Sequence, residues 1–526
     1  MRRVLPALLF LAGPWSTVAT TAVAAPPQSY ERWLKPEPLS RDERALFRLA
    51  RAWGAAHGQV LRYDSRLVRA ARRLLSAVPT RAAQPIDLDE VRRTAQTLGF
   101  TDGQLAAIGL RLETPQALAA AINRQLQSAI GGLDVNRVGV ASRTKDGETI
   151  ALLLLSRHLV DLQPLPARVR PAALFHLGGR WRTPGTLQSA TLAVELPGGA
   201  VERRPIEVSG KTFNLTLDLG SATGVARLEV LVDRGRGPEI AAIMPVGVDA
   251  DPWAGKGTPD APDPSAALRP DDELETALAA LILGGREAAG VSLPAASAGL
   301  VDAARSHADE MRAGGFFAHV SPTTGDVTAR LKRRGVRCVR TLENIAIGDS
   351  VESIWQQWME SPAHRANLLE PTVDALGVGV VSKPSAAGNS RLYAVAVLAK
   401  LADDGPGSEL AALAMRQIND ERSRRGMTPL TLDPQLSGLA LRYSEGLARR
   451  APVDDISPIR RALVDSVFEE APVSEAAADV YLADSVAVAA RSTHVRERFT
   501  RAGVGVHRDA GRNGPQLYVT VIYAND

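Results

Sequence analysis

Phe316-Phe-Ala-His-Val-Ser-Pro322, Leu342-Glu-Asn-Ile-Ala346 and Ser361-Pro-Ala-His-Arg-Ala-Asn367 are the segments that decide the fold. Each puts a chemically able side chain among apolar or small neighbours: His319, Glu343 with Asn344, and His364 with Ser361. These groups are far apart in sequence, so only tertiary structure can bring them together. The stretch Trp355 to Ala366 carries Trp355 and Trp358 at helical spacing, which predicts a helix with those rings in the core. The helical pattern Leu300, Ala303, Ala304, His307 predicts a half-buried His307 with a structural role.

Downstream, Leu376-Gly-Val-Gly-Val380 and Leu392-Tyr-Ala-Val-Ala-Val397 read as a β-hairpin. The pattern returns as Ala502-Gly-Val-Gly-Val506 with Leu517-Tyr-Val-Thr-Val521, and more weakly as Val138-Gly-Val140 with Ile150 to Leu155. An amphipathic helix precedes each hairpin, around Leu67 to Leu74, Leu300 to His307 and Leu436 to Tyr443. Self-similarity on this scale predicts three related α/β units. In the last unit, Asp455 aligns with His319, Glu469 with Glu343 and His494 with His364. The first unit has no counterpart of the site, and His57 and His158 fall outside the matching positions.

Residues 163–250 have a different texture, with short β-rich runs such as Ala190 to Leu196 and Ala226 to Val232 separated by turns. They predict an antiparallel, immunoglobulin-like β-sandwich. The run Asp233-Arg-Gly-Arg-Gly237 reads as its hairpin turn. Residues 251–270, rich in Pro, Gly and Asp, read as a linker. The expected organisation is a signal peptide at 1–24, α/β units at 26–162, 271–401 and 407–526, and the sandwich between the first two.

The N-terminus has Arg2 and Arg3, an apolar run from Val4 to Gly13 and a small-residue site ending at Ala24-Ala25. That is the layout of a cleaved secretory signal, with cutting after Ala24. The mature chain is expected outside the cytoplasm, in a periplasm or beyond the cell, with no membrane-spanning segment. The 526 residues are 45% hydrophobic and 23% charged, which excludes a largely disordered chain. A net charge of +4 is too small at this length to point to nucleic acid. Cys338 is the one cysteine, so intramolecular disulfides and Cys-based metal sites are excluded, and its thiol is expected to be structural.

The ordered motifs of residues 271–401 resemble the bacterial branch of the CAP superfamily (cysteine-rich secretory proteins, antigen 5 and pathogenesis-related 1; SCP domains). The resemblance rests on His307-Ala-Asp-Glu-Met311, Phe317-Ala-His319, Ser321-Pro322, Glu343-Asn344-Ile345-Ala346, Trp358, Ser361 to Asn367 and Gly377-Val-Gly379. It implies an α+β fold, an α-β-α sandwich, with degenerate CAP-like units at both ends. It also implies a cleft lined by His319, Glu343 and His364, with Asn344 and Ser361 beside them. The family's Gly before Glu-Asn is Leu342 here. In some members the cleft holds zinc or another divalent cation. Two imidazoles and a carboxylate suit zinc, leaving a position for water; metal-free, they can hold a polar ligand, move protons or simply order the cleft. The function implied is binding of a small apolar molecule, an envelope component or a protein. The alternatives are a zinc-dependent hydrolase using the same residues and a non-catalytic scaffold. H-E-x-x-H and G-x-S-x-G are both absent, which gives the hydrolase no further support.

Overall fold

A computed structural model describes residues 29–31, 34–77, 88–112, 126, 134–145, 148–253, 269–384, 390–403, 405–450, 457–509 and 516–526. The expected signal segment, most of the expected linker and Asp455 lie outside these residues. Internal contacts divide the chain into two bodies, residues up to Val336 with Thr341–Ala399, and Arg337–Arg340 with Lys400–Asp526.

One sheet plan occurs three times. Its strands are, in spatial order, Arg62–Tyr63, Arg137–Lys145, Glu148–Arg157 and Gln104–Leu112 in the first sheet. In the second they are Ala295–Ala296, Ala375–Pro384, Ser390–Leu401 and Cys338–Gly348. The third comprises Thr431–Leu432, Arg501–Asp509, Gln516–Asn525 and Glu475–Ala483. In every sheet the two-residue strand runs parallel to its neighbour, and the next pair is an antiparallel hairpin. The Gly-x-Gly pairs explain how the helix packs. A Cβ at Gly377 would lie 2.2 Å from the Leu300 carbonyl carbon, and one at Gly379 2.2 Å from the Arg305 nitrogen. Gly503 and Gly505 stand in the same relation to Leu436 and Leu441, and Gly139 to Leu67. Helix backbone therefore rests directly on strand backbone, a close approach only glycine permits.

The middle sheet is covered on both faces. On one face, Leu274, Leu278 and Ile282 of the helix Asp271–Ala288 and Ile354 and Trp358 of the helix Val351–Glu360 pack on Val378, Val380, Ala394 and Ala396. The helix Ala298–Gly314 occupies the other face and ends at Gly315, whose φ of 60° supplies the left-handed cap. A capping box between Ser350 and Ser353 starts the helix that buries Trp358, as the tryptophan spacing predicts. Leu342 stands inside the strand Cys338–Gly348 and packs against this core, so no turn is needed there. Arg286 is fully buried and donates to the carbonyls of Ser292, Leu368 and Glu370, tying the first helix to the end of the helix Pro362–Leu368. Arg422 of the second body does the same with Thr428, Val495 and Glu497.

Residues 160–248 form two β-sheets around one core containing Leu177, Leu192, Phe213, Val230 and Met244. Three details depart from expectation. The strand Val160–Leu162 already belongs to this pair of sheets. The edge strand Arg168–Val169 runs parallel to Gly247–Val248, so the sandwich is not wholly antiparallel. Tyr30, from the expected first unit, pairs with Leu165 and is buried in the sandwich core. The strands Gly224–Asp233 and Pro238–Val248 make the expected hairpin, and Asp233 Oδ1 accepts from the amides of Gly235 and Gly237 to hold its turn. Among the described residues no helix is long and apolar enough to cross a membrane.

Candidate functional site

The five residues singled out by sequence converge on one face of the middle unit. Glu343 sits on the strand Cys338–Gly348 and is buried. Its Oε1 accepts from His319 Nδ1 at 2.9 Å, and its Oε2 accepts from Arg330 Nη2. Burial alone would raise the Glu343 pKa; the hydrogen bond from His319 and the charge of Arg330 outweigh it and hold the carboxyl below its usual range. An ionised carboxylate only accepts, so His319 Nδ1 carries the hydrogen, and in the neutral ring Nε2 is left as an acceptor.

His364 lies in the helix Pro362–Leu368, which Ser361 starts as N-cap with Pro362 in its first turn. Ser361 Oγ accepts the His364 amide at 3.3 Å, and Asn344 Nδ2 donates to the His364 carbonyl at 3.0 Å. Asn344 is fully buried, and its Oδ1 accepts from Asn367. The pair Ser361 and Asn344 thus fix the His364 backbone. Burial, then the charges of His319 and Arg203, push the His364 pKa down to about 3, so the ring is neutral at physiological pH.

Two supports were not legible in the sequence. Arg330, 1% exposed, donates to the carbonyls of His319 and Gly325 as well as to Glu343. No local pattern marks it, because its partners come from a loop and from a distant strand. His307 was expected to be half-buried; it is fully buried, because Nε2 donates to the Ala318 carbonyl at 2.9 Å beneath the loop that carries His319. Desolvation lowers its pKa and keeps it neutral.

The β-sandwich covers this face. The amide of Val320 donates to the Arg236 carbonyl at 3.1 Å, and a Cβ on Gly237 would lie 2.5 Å from His319 Cβ. The turn read from sequence as a simple hairpin end is therefore seated on His319. On the His364 side, Glu229 accepts from Ser361 Oγ at 2.6 Å and from the Ala363 amide at 2.8 Å. Arg203 donates to Asn367 Oδ1 at 2.9 Å. Between these seats lies a chamber of about 730 Å³, within the usual range for small-molecule sites (about 300–1,000 Å³). His319, Glu343, Ser361 and His364 line it with Phe317, Ile345, Ile347 and Trp358. The sandwich adds Leu231, Ile240 and Arg236, and the N-terminal unit adds Gln96 and Leu105.

Of the expected zinc ligands, Glu343 is the one already engaged by neighbouring side chains. Both oxygens of Glu343 are engaged, one by a buried guanidinium; the Nδ1 of His319 donates to the same carboxylate, a bond of the kind that orients a metal-ligating imidazole. Among the described residues no three His, Cys, Asp or Glu side chains are disposed to hold a metal ion.

In the last unit the sequence alignment needs correction. Glu469 is exposed on the helix Ser457–Glu470, and the acid on the edge strand is Asp479, 3.7 Å from His494. Matching the carbonyls held by Arg286 and Arg422 sets Leu368 beside Val495, which places His494 opposite Asn367 rather than His364. In the first unit His158 is tied to Asp102, Asp161 and Arg137 in a largely buried network apart from any such cleft.

Comparison with known proteins gives the following similarities. Residues 280–398 match the Cysteine-rich secretory protein family, CAP. The uncharacterized protein YkwD of Bacillus subtilis (strain 168) is 36% identical over 87 residues, covering 16% of this chain and 34% of that protein. The chain thus spans about a third of the length of that curated relative. An extracellular SCP-domain protein of Bacillus anthracis aligns at 22% identity over 34% of this chain and 64% of its own, with a TM-score of 0.23. An outer surface protein of Borrelia burgdorferi aligns at 16% identity over 25% of this chain and 96% of its own, also with a TM-score of 0.23.

Proposed function

Residues 280–398 form a domain of the cysteine-rich secretory protein family, and from that premise we propose that the chain is an exported, non-catalytic binding protein. Its ligand is a small, largely apolar molecule with a hydrogen-bonding group, held in the chamber over His319 and His364. The observation that carries this reading is the chamber itself, a mostly apolar lining around two imidazoles, one of them oriented by Glu343. Burial of ligand against Phe317, Ile347, Leu231 and Ile240 supplies the affinity, at about 25 cal/mol per Å² of apolar area. His319 Nε2 accepts one ligand hydrogen, and the neutral His364 ring donates or accepts another. Glu343 and Arg330 hold His319 in its tautomer and cancel each other's charge.

The repeated sheet plan, the paired glycines and the matching Arg286 and Arg422 contacts support a common origin for the three units, with the outer two serving as structural copies. Export rests on the N-terminal pattern alone. N-terminal sequencing of protein secreted by the native host should begin at Ala25; an intact Met1 would refute cleavage.

The chamber is tested with Nile red, a neutral apolar dye, titrated into the full chain. One-to-one binding is expected, weakened about tenfold or more by Ile347→Trp, which fills part of the chamber from the middle unit's wall. The isolated residues 271–401 lack the sandwich wall and should bind no better than that variant. Equal binding by wild type and Ile347→Trp would overturn the reading.

A further inference from the structure

We propose that Glu229, on the sandwich strand Gly224–Asp233, is a positioning residue for the chamber: it fixes the start of the helix that carries His364. The proposal rests on the chamber reading above and names the residue by which a second domain shapes the site.

Strand alternation sets the starting point. Leu228 and Val230 point into the sandwich core, so Glu229 leaves from the opposite face, which in a free sandwich faces water. Here it is fully buried, because the middle unit covers it. A carboxylate in that position loses hydration, and burial raises its pKa. Its hydrogen-bond donors belong to the middle unit: Ser361 Oγ, at the N-cap, and the Ala363 amide, in the first turn. Both carboxylate oxygens are used, one on each donor, so the group fixes position and orientation together. A shorter or apolar side chain would leave the Ala363 amide without its acceptor in a buried setting.

The neighbouring contacts have the same direction. Arg203 reaches Asn367 Oδ1 at 2.9 Å and the Ala363 carbonyl at 3.3 Å, and Glu195 lies 3.5 Å from Arg365 Nε. Three sandwich side chains thus meet one seven-residue helix. A helix of two turns has little stability of its own, so its place is set by what holds its ends. The C-terminal end is tied within the middle unit through Arg286 and the Leu368 carbonyl. The N-terminal end is tied across the domain boundary by Glu229. Ser361, which shares its hydroxyl between Glu229 and the His364 amide, passes the constraint to the backbone that carries the imidazole.

The test uses the full chain and needs no ligand. Amide exchange of residues 362–368 and carbethoxylation of His364 by diethyl pyrocarbonate are followed by peptide mass spectrometry. Glu229→Ala should raise both rates about tenfold or more, while sandwich peptides covering 224–248 keep their protection. Glu229→Gln should stay within about twofold of wild type, because its carbonyl still accepts from Ala363 and the Ser361 hydroxyl can rotate to accept from its amide. Glu229→Asp keeps the charge but withdraws the carboxylate by one methylene; it should follow the alanine variant, and it decides the matter if that variant does not fold. Changes confined to the sandwich peptides, or wild-type rates at 362–368 and His364 in a folded alanine or aspartate variant, would overturn the proposal. Failure of Nile red to bind the wild-type chain would instead remove the chamber reading and leave these rates as the measure of Glu229.

Discussion

Glu343→Ala destabilises the middle unit by about 3–5 kcal/mol, the range for breaking a buried ion pair from one side. Arg330 is 1% exposed and keeps only the His319 and Gly325 carbonyls once the carboxylate is gone. Its charge is then buried without a counter-charge, while His319 Nδ1 loses its acceptor. Glu343→Gln preserves shape and one acceptor but not the charge, and falls between the two. The measurement is amide exchange of residues 338–348 in the full chain across a urea series, since a multidomain chain does not unfold as one unit. A difference below about 1 kcal/mol would show that the pair contributes no more than an exposed one.

The pH dependence has a fixed sign. The folded pKa of Glu343 lies below the ordinary carboxyl value of 4.5. A depressed acid contributes stability that is fully present above its unfolded pKa and is lost as pH falls through the folded one. The gap between wild type and Glu343→Gln should therefore be full at neutral pH and close below pH 4.5. A gap that widened in acid would contradict the ionised assignment.

Gly379→Ala is the second large effect. The added Cβ would meet the Arg305 nitrogen at 2.2 Å and the Ala304 carbonyl carbon at 2.4 Å, backbone atoms that no rotamer change can move. The helix Ala298–Gly314 must lift from the sheet, costing about 3 kcal/mol, the upper end for overpacking. The same helix carries His307, so the loop holding His319 shifts with it. Gly438 is the control. It lies within the helix Pro434–Arg450 with nothing within 4 Å of its added Cβ. Gly438→Ala should stabilise the chain by about 0.5–1 kcal/mol through helix propensity and a less flexible unfolded state. Opposite signs at the two glycines, read by amide exchange of the helices Ala298–Gly314 and Pro434–Arg450 across a urea series, would confirm that space rather than residue type decides. A Gly379→Ala chain as stable as wild type would refute the close approach.

The patterns legible in the sequence are local or repeat at fixed spacing. The hairpins around Gly377 and Gly503, the helices before them, the core placement of Trp358 and the turn after Asp233 all follow from short periodicities. The meeting of His319, Glu343, Asn344, Ser361 and His364 was legible only through the resemblance of their ordered motifs to a known family, since they lie on a loop, an edge strand and a short helix. The last unit misled the alignment where the motifs fade: Asp479, not Glu469, occupies the edge strand.

Tertiary structure alone decided what surrounds those residues. Arg330 reaches carbonyls and a carboxylate from separate segments, and no periodicity encodes such a convergence. Glu229 lies 132 positions from Ser361, and as one acid on the outer face of a strand it is indistinguishable from a solvated residue. Gly237 reads as a turn glycine until His319 is found beneath it. The sequence by itself determined which elements form, because those depend on spacing along one segment; that the middle unit gathers His319, Glu343 and His364 was implied only by the family resemblance of its motifs. Whether that gathering is an open cleft or a walled chamber was decided by the packing of a second domain, through contacts that have no counterpart in local sequence.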